Sequence, residues 1–166
     1  NGTLQEFDIT ATKMNVGGKY ELFPNKGIGE LFFGMTRDEV QQLLGNPISS
    51  IKYGFPIQDS ILDDYVFFYT MFSNKGVLEA VEFFPQYTKE KIIWNYGDSS
   101  IQLTANRETM LEGLNSFTDD LIKDEDEDAS ECYCSKKLGV KFFYPEDEEN
   151  DVLSVIVYAP HYYDEK

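Results

Sequence analysis

A chain of 166 residues with 42% hydrophobic and 15% aromatic side chains is long enough to bury a core and too apolar to stay disordered. Its 14 basic and 30 acidic residues give a formal charge of −16, a field that repels nucleic acid and anionic membrane and speeds encounter with a cationic protein. No apolar run approaches the roughly 20 residues of a membrane helix, so no membrane contact is expected.

The first residue is Asn1 rather than methionine, which implies an upstream segment, with a signal peptide or lipid anchor as one candidate. From Leu4 to Met14 the alternation of Phe7, Ile9 and Ala11 predicts a strand added to a sheet edge. Gly17-Gly18 breaks it, and residues 1–26 read as an N-terminal arm. A short extended piece, Ile28 to Phe33, follows the turn at Asn25-Lys26-Gly27.

Thr36 predicts a helix N-cap, because its hydroxyl can accept from a free backbone N–H while Glu39 completes a reciprocal capping box. Val40, Leu43 and Leu44 form the apolar stripe of a short helix that Gly45-Asn46-Pro47 stops. Three strands are expected next, Ser49 to Phe55, Tyr65 to Phe72 and Val77 to Phe84, with Ser73-Asn74-Lys75-Gly76 as a hairpin turn whose Asn and Gly suit positive φ.

A second helix begins after Asn106, with Met110, Leu111 and Leu114 inward, and is expected to run past Phe117 towards Ile122. Strand-like segments then surround Cys132-Tyr133-Cys134 and span Val140 to Tyr144 and Val152 to Tyr158. Two acidic segments interrupt them, Asp124 to Asp128 and Glu146 to Asp151.

The halves repeat. Val77 to Pro85 aligns with Val152 to Pro160 at an offset of 75 (152 minus 77), and Leu31 to Val40 aligns with Ile101 to Met110 at an offset of 70 (101 minus 31). The expected fold is α+β: two tandem units of a short helix on an antiparallel sheet, 27–95 and 96–166, joined in one continuous or saddle-shaped sheet. Charge divides unevenly between them, because residues 1–95 carry 12 acids and 8 bases while 96–166 carry 18 acids and 6 bases.

The run Gly27-Ile28-Gly29-Glu30-Leu31-Phe32-Phe33-Gly34-Met35-Thr36-Arg37-Asp38-Glu39-Val40, continuing through Leu43-Leu44-Gly45-Asn46-Pro47, resembles the opening of the small lipoproteins of the outer-membrane assembly machinery. It also resembles the β-lactamase inhibitor proteins built from two such units. The resemblance implies a sheet face that binds a protein, although those inhibitors are secreted and disulfide-bonded within their units. In style the units are also similar to bacterial immunity proteins, which neutralise a co-encoded toxin.

No enzyme signature accompanies it. His161 is the only histidine and lacks a nucleophile partner, and Asp63-Asp64 is a carboxylate pair without a recognisable cleft. The Asp124 to Asp128 run lacks the glycine and the twelfth-position glutamate of a calcium loop, since Ala129 and Ser135 stand there. Cys132 and Cys134, one pleat apart on a strand, would have Cα atoms about 7 Å apart, too far for an unstrained disulfide. Two reduced thiols favour a reducing compartment such as the cytoplasm, and an exported or anchored location if a leader preceded Asn1. No cofactor and no metal are expected.

Two sets of residues are candidates for partner contact. Asp124, Glu125, Asp126, Glu127 and Asp128, with Glu146, Asp147, Glu148, Glu149 and Asp151, form either solvated loops or a surface for a basic partner, toxin or enzyme. Tyr53, Tyr65, Tyr69 and Trp94 are either core rings or anchors on an open sheet face. The expected protein is a non-enzymatic inhibitor, monomeric when unbound, that neutralises a cationic toxin such as a nuclease; the alternative is an anchored module of envelope assembly.

Overall fold

The computed structural model describes residues 19–54, 56–104, 106–124, 130–145 and 154–163, and the expected strand from Leu4 to Met14 lies outside them. In chain order come β1 (Lys19–Phe23), β2 (Gly27–Ile28), β3 (Leu31–Phe32), α1 (Arg37–Leu44), β4 (Ser49–Tyr53), β5 (Ser60–Asp64), β6 (Phe68–Phe72) and β7 (Leu78–Phe83). After a 3-10 turn at Pro85–Tyr87 follow β8 (Ile93–Tyr96), β9 (Ser99–Gln102), α2 (Arg107–Phe117), β10 (Ile122–Asp124), β11 (Ser130–Ser135), β12 (Val140–Pro145) and β13 (Ser154–Tyr158).

The local start signal for α1 holds in full. Thr36 Oγ1 accepts from Glu39 N at 3.1 Å, and Glu39 Oε1 accepts from Thr36 N at 2.9 Å. Gly45 closes the helix at φ 83°, with its N–H donating to Gln41. The cap carries two hydrogen bonds at the surface, whereas Leu44 is fully buried. Thr36→Ala is therefore expected to cost about 1 kcal/mol and Leu44→Ala about 2–5 kcal/mol, ordered by denaturant titration. A larger loss at Thr36 would mean that the helix is held by its end rather than by its buried stripe.

The long sheet has the order β10-β11-β12-β13-β7-β6-β5-β4, antiparallel throughout, and the short one is β3-β2-β1-β8-β9. Within the short sheet β1 and β8 are parallel, pairing Tyr20 with Trp94. One face of the long sheet is buried under both helices and the short sheet in a single core that includes Leu22, Ile28, Val40, Leu44, Phe68, Phe83, Trp94, Met110, Leu114, Phe142 and Val157. Gly113 lets α2 lie directly on β9, because a Cβ there would collide with Ile101.

Several expectations change. Each helix is followed by four strands of the long sheet rather than three, since β5 and β10 were not foreseen, and β8 and β9 of the short sheet were not foreseen either. β5 hides in the sequence because its inward residue is charged: Asp63 is buried where alternation calls for an apolar side chain. Helix α2 stops at Phe117, and Ile122 belongs to a strand. In the 73–76 turn only Gly76 takes positive φ. The supposed arm also contains β1, which lies in the middle of the short sheet with Tyr20 and Leu22 buried. A boundary between 95 and 96 would cut β8, and the core draws on both sides of it.

The expected equivalence of the two strands does not hold at its register. At an offset of 75, Val81 matches Ile156 and Phe83 matches Tyr158. Val81 and Phe83 face the main core, whereas Ile156 and Tyr158 face the other side of the sheet. Side chains alternate with a period of two, so an odd slip exchanges the faces. Val81 in fact pairs with Val157, which shares its face.

Candidate protein-binding face

The second face of the long sheet carries a smaller cluster, Met71, Ala80, Ile156 and Tyr158, with Tyr53, Tyr69, Phe143 and Tyr162 partly buried around it. The segment after β13 crosses this face. Ala159 N donates to the Glu79 carbonyl and Tyr162 N to the Ala159 carbonyl, a turn that brings His161, Tyr162 and Tyr163 back over the strands. Tyr162 Oη reaches Met71 Sδ at 3.8 Å. Lys141 Nζ stands 4.0 Å from the centre of the Tyr163 ring.

A cleft of about 860 Å³ opens between the 54–59 loop, the 73–77 turn and this C-terminal segment. Tyr53, Glu79, His161, Tyr162 and Tyr163 are in its wall. Burial raises the phenol of Tyr162 to about 12 and drives those of Tyr53 and Tyr163 higher still, so all three remain neutral donors and acceptors. A second aromatic group lies further along, where Tyr69 meets Phe84 edge-on at 4.6 Å and Phe84 stacks on Tyr87 at 5.5 Å.

The four predicted aromatic anchors separate. Tyr53 and Tyr69 lie on the second face. Trp94 has no exposed surface and Tyr65 only 3%, so neither can serve as an anchor. Tyr65 turns inward because Val66 adopts φ 81°, which resets the alternation expected of one strand from Tyr65 to Phe72. Its hydroxyl donates to the Gly45 carbonyl at 2.8 Å. Trp94 joins the two sheets, edge-on to Phe83 at 5.5 Å.

Among the acidic candidates, Asp124 ends β10 and its carboxylate lies 3.7 Å from Lys141 Nζ. It is thus part of the sheet edge rather than of a loop. Glu125, Asp126, Glu127 and Asp128, and Glu146, Asp147, Glu148, Glu149 and Asp151, lie outside the described residues. The strands that carry them do have a fixed register: Asp124 is opposite Cys132, Ser130 opposite Pro145, and Phe143 opposite Ser154. Asp124, Ser130, Pro145 and Ser154, the described residues that flank the two acidic stretches of the sequence, therefore lie at the same end of the sheet.

Cys132 and Cys134 are both buried, and burial raises the thiol of Cys134. Asp63 is engaged rather than available, held by Arg37, Gln41 and Ser50. Among the described residues no group of three or more metal-ligating side chains converges, and no helix is long and apolar enough to cross a membrane. Tyr163 and Phe84 are not among the contact residues expected from the sequence. The available signal was the density of rings in Tyr158-Ala159-Pro160-His161-Tyr162-Tyr163.

Two carboxylates respond to pH in opposite senses. Burial opposes the charge on Asp120, but donors from Ser135, Thr118 and the Lys137 backbone outweigh it and hold the group at about 2, below its ordinary 3.8. That stabilisation is complete above 3.8 and is lost as pH falls towards 2. Glu82 is raised above 4.5 by burial, which a hydrogen bond from Ser154 only partly offsets. Its contribution is most favourable below 4.5 and is lost as pH rises through the elevated value. Glu82→Gln keeps an oxygen for Ser154 and removes the charge, so it is expected to raise the melting temperature at pH 7 and leave it nearly unchanged at pH 4. Equal shifts at both pH values would trace the effect to packing.

The described residues define an α+β protein of two mostly antiparallel sheets and two α-helices. No family model, no curated protein and no solved structure matches the chain.

Proposed function

We propose that this chain is a non-enzymatic inhibitor of the immunity type, which neutralises a basic protein such as a nuclease toxin. The observation that carries this reading is the concentration of charge: 18 acids and 6 bases in residues 96–166, with the strand ends that flank both acidic stretches at one end of the long sheet. Such a surface resembles the charge of nucleic acid, steers a cationic partner and competes for its phosphate contacts.

The fold is, on the same reading, a duplicated unit. Support comes from paired details. Thr36 and Asn106 both cap a helix with a side-chain oxygen. The first helical residues, Arg37 and Arg107, both reach an acid on the second strand after the helix, Asp63 and Glu131. Strand order is mirrored about the β7–β13 pair.

The test uses Glu125→Gln, Asp126→Asn, Glu127→Gln and Asp128→Asn together, sparing Asp124 for its contact with Lys141. The product of the adjacent gene supplies the partner, assayed for toxicity with and without this chain. Wild type is expected to protect and to bind with an on-rate that falls steeply with salt; the variant should fold equally well, bind more slowly at low salt and show a flatter salt dependence. Equal on-rates at low salt would reduce the acidic segment to a solubility device.

A further inference from the structure

β4 is an edge of the long sheet, and among the described residues no strand pairs with its outer side. Alternate backbone N–H and C=O groups therefore point away from β5, the template on which another strand adds. The usual protections are missing. Its five residues contain no proline, and their pairing with β5 runs without a bulge from Ser49 opposite Asp64 to Tyr53 opposite Ser60. At the centre is Ile51, 56% exposed. It begins an apolar row across the second face, opposite Leu62, which is opposite Met71, then Ala80 and then Tyr158. Met71, Ala80 and Tyr158 are buried and Ile51 is not, because the row has no neighbour beyond β4 among the described residues.

We infer that β4 pairs antiparallel with β4 of a second copy of this chain, about a two-fold axis at Ile51, joining two long sheets into one. A register centred on position 51 sets Ile51 against Ile51 of the other copy, Ser50 against Lys52 and Ser49 against Tyr53. The apolar row then continues across the axis, and the one charged residue of the strand meets a hydroxyl rather than its own copy. Charge also selects this edge. The opposite edge, β10, ends at Asp124 beside an acidic stretch of the sequence, so pairing there would bring two such ends together. Seven strand spacings of ~4.8 Å put β4 about 34 Å from β10, several times the ~8 Å screening length at physiological salt. In the dimer the acidic ends are outermost, about 70 Å apart, so the formal charge of −16 per chain opposes association little. A basic protein is a poorer occupant, since Lys52, and Arg37 where it reaches Ser50, carry positive charge at this edge. Both acidic ends stay free, so the pairing is independent of the function proposed above. The unbound protein is then a dimer at high concentration, not the monomer expected from the sequence.

One strand pair is smaller than a standard interface, so the dimer is weak, with a Kd of about 10–100 µM. Sedimentation of the full chain across that range should give a mass that rises from 19.1 kDa towards twice that value. Amides of residues 49–53 should gain hydrogen-exchange protection over the same range. Ile51→Lys sets like charges against each other at the axis and should weaken the dimer at least about tenfold, with the melting temperature unchanged because the side chain is exposed. Ile51→Glu should do the same. An equimolar mixture of the two variants should restore association, because a register centred on position 51 puts the two new side chains opposite each other. A chain that stays monomeric throughout, a dimer undiminished in either variant, or a mixture no stronger than its components overturns the inference. Protection of residues 49–53 that does not change with concentration means that another segment of the same chain occupies the edge, and equally overturns it. Should a variant fail to fold, wild-type exchange decides, and concentration-dependent protection confined to residues outside 49–53 counts against the pairing.

Discussion

Trp94→Ala is expected to destabilise the protein by about 3–5 kcal/mol, the largest loss of any single change considered. The indole has no exposed surface. It sits on β8, beside Tyr20 of β1 and Ile101 of β9, and projects onto Phe83 of the long sheet. Truncation would open a cavity where the sheets meet, and close packing leaves little means to refill it. The indole Nε1 is buried without a hydrogen-bond partner among the described residues, so Trp94→Phe removes an unmet donor together with some volume and should cost clearly less than alanine. Urea titrations of both variants, beside Tyr69→Ala on the second face, provide the check. A loss below about 1 kcal/mol for Trp94→Ala would return the residue to the surface role that its amphipathic ring had suggested.

Arg37→Ala is expected to cost about 2–3 kcal/mol. Asp63 is completely buried and takes two hydrogen bonds from the guanidinium of Arg37, both at 2.9 Å. Removing one partner of a buried pair usually costs about 3–5 kcal/mol, because the other charge is stranded. Here the figure falls lower, since Arg37 is 34% exposed and Ser50 and Gln41 continue to donate to Asp63. Replacing Arg37 and Asp63 together by Met and Leu should recover most of the loss, because no charge then remains in the core. A double variant as unstable as Arg37→Ala would show that the pair itself, rather than the stranded carboxylate, holds α1 on the sheet.

How much was legible depended on the range of the forces involved. The α1 cap, its stop at Gly45 and the start of α2 at Asn106 rest on hydrogen bonds between residues at most four apart, and all were readable. Strands with ordinary alternation, such as Val140–Pro145, were found to within a residue. Those whose pattern is broken by a remote partner were not: β5 contains Asp63, explained only by Arg37 and Gln41 from α1. Of the proposed site, the tyrosine-rich tail was visible as composition, but its return over the second face was not.

The sequence by itself determined the acidity of the chain, its lopsided distribution and both helix starts, because charge is counted and capping is local. The tertiary structure decided which way each ring points. Tyr65 and Trp94 went into the core and Tyr53 and Tyr69 to the second face, since a strand has two faces and only long-range packing chooses between them. The mirrored order of the long sheet was likewise decided by the pairing of β7 with β13, more than 70 residues apart in sequence and bonded through backbone groups that are the same in every residue.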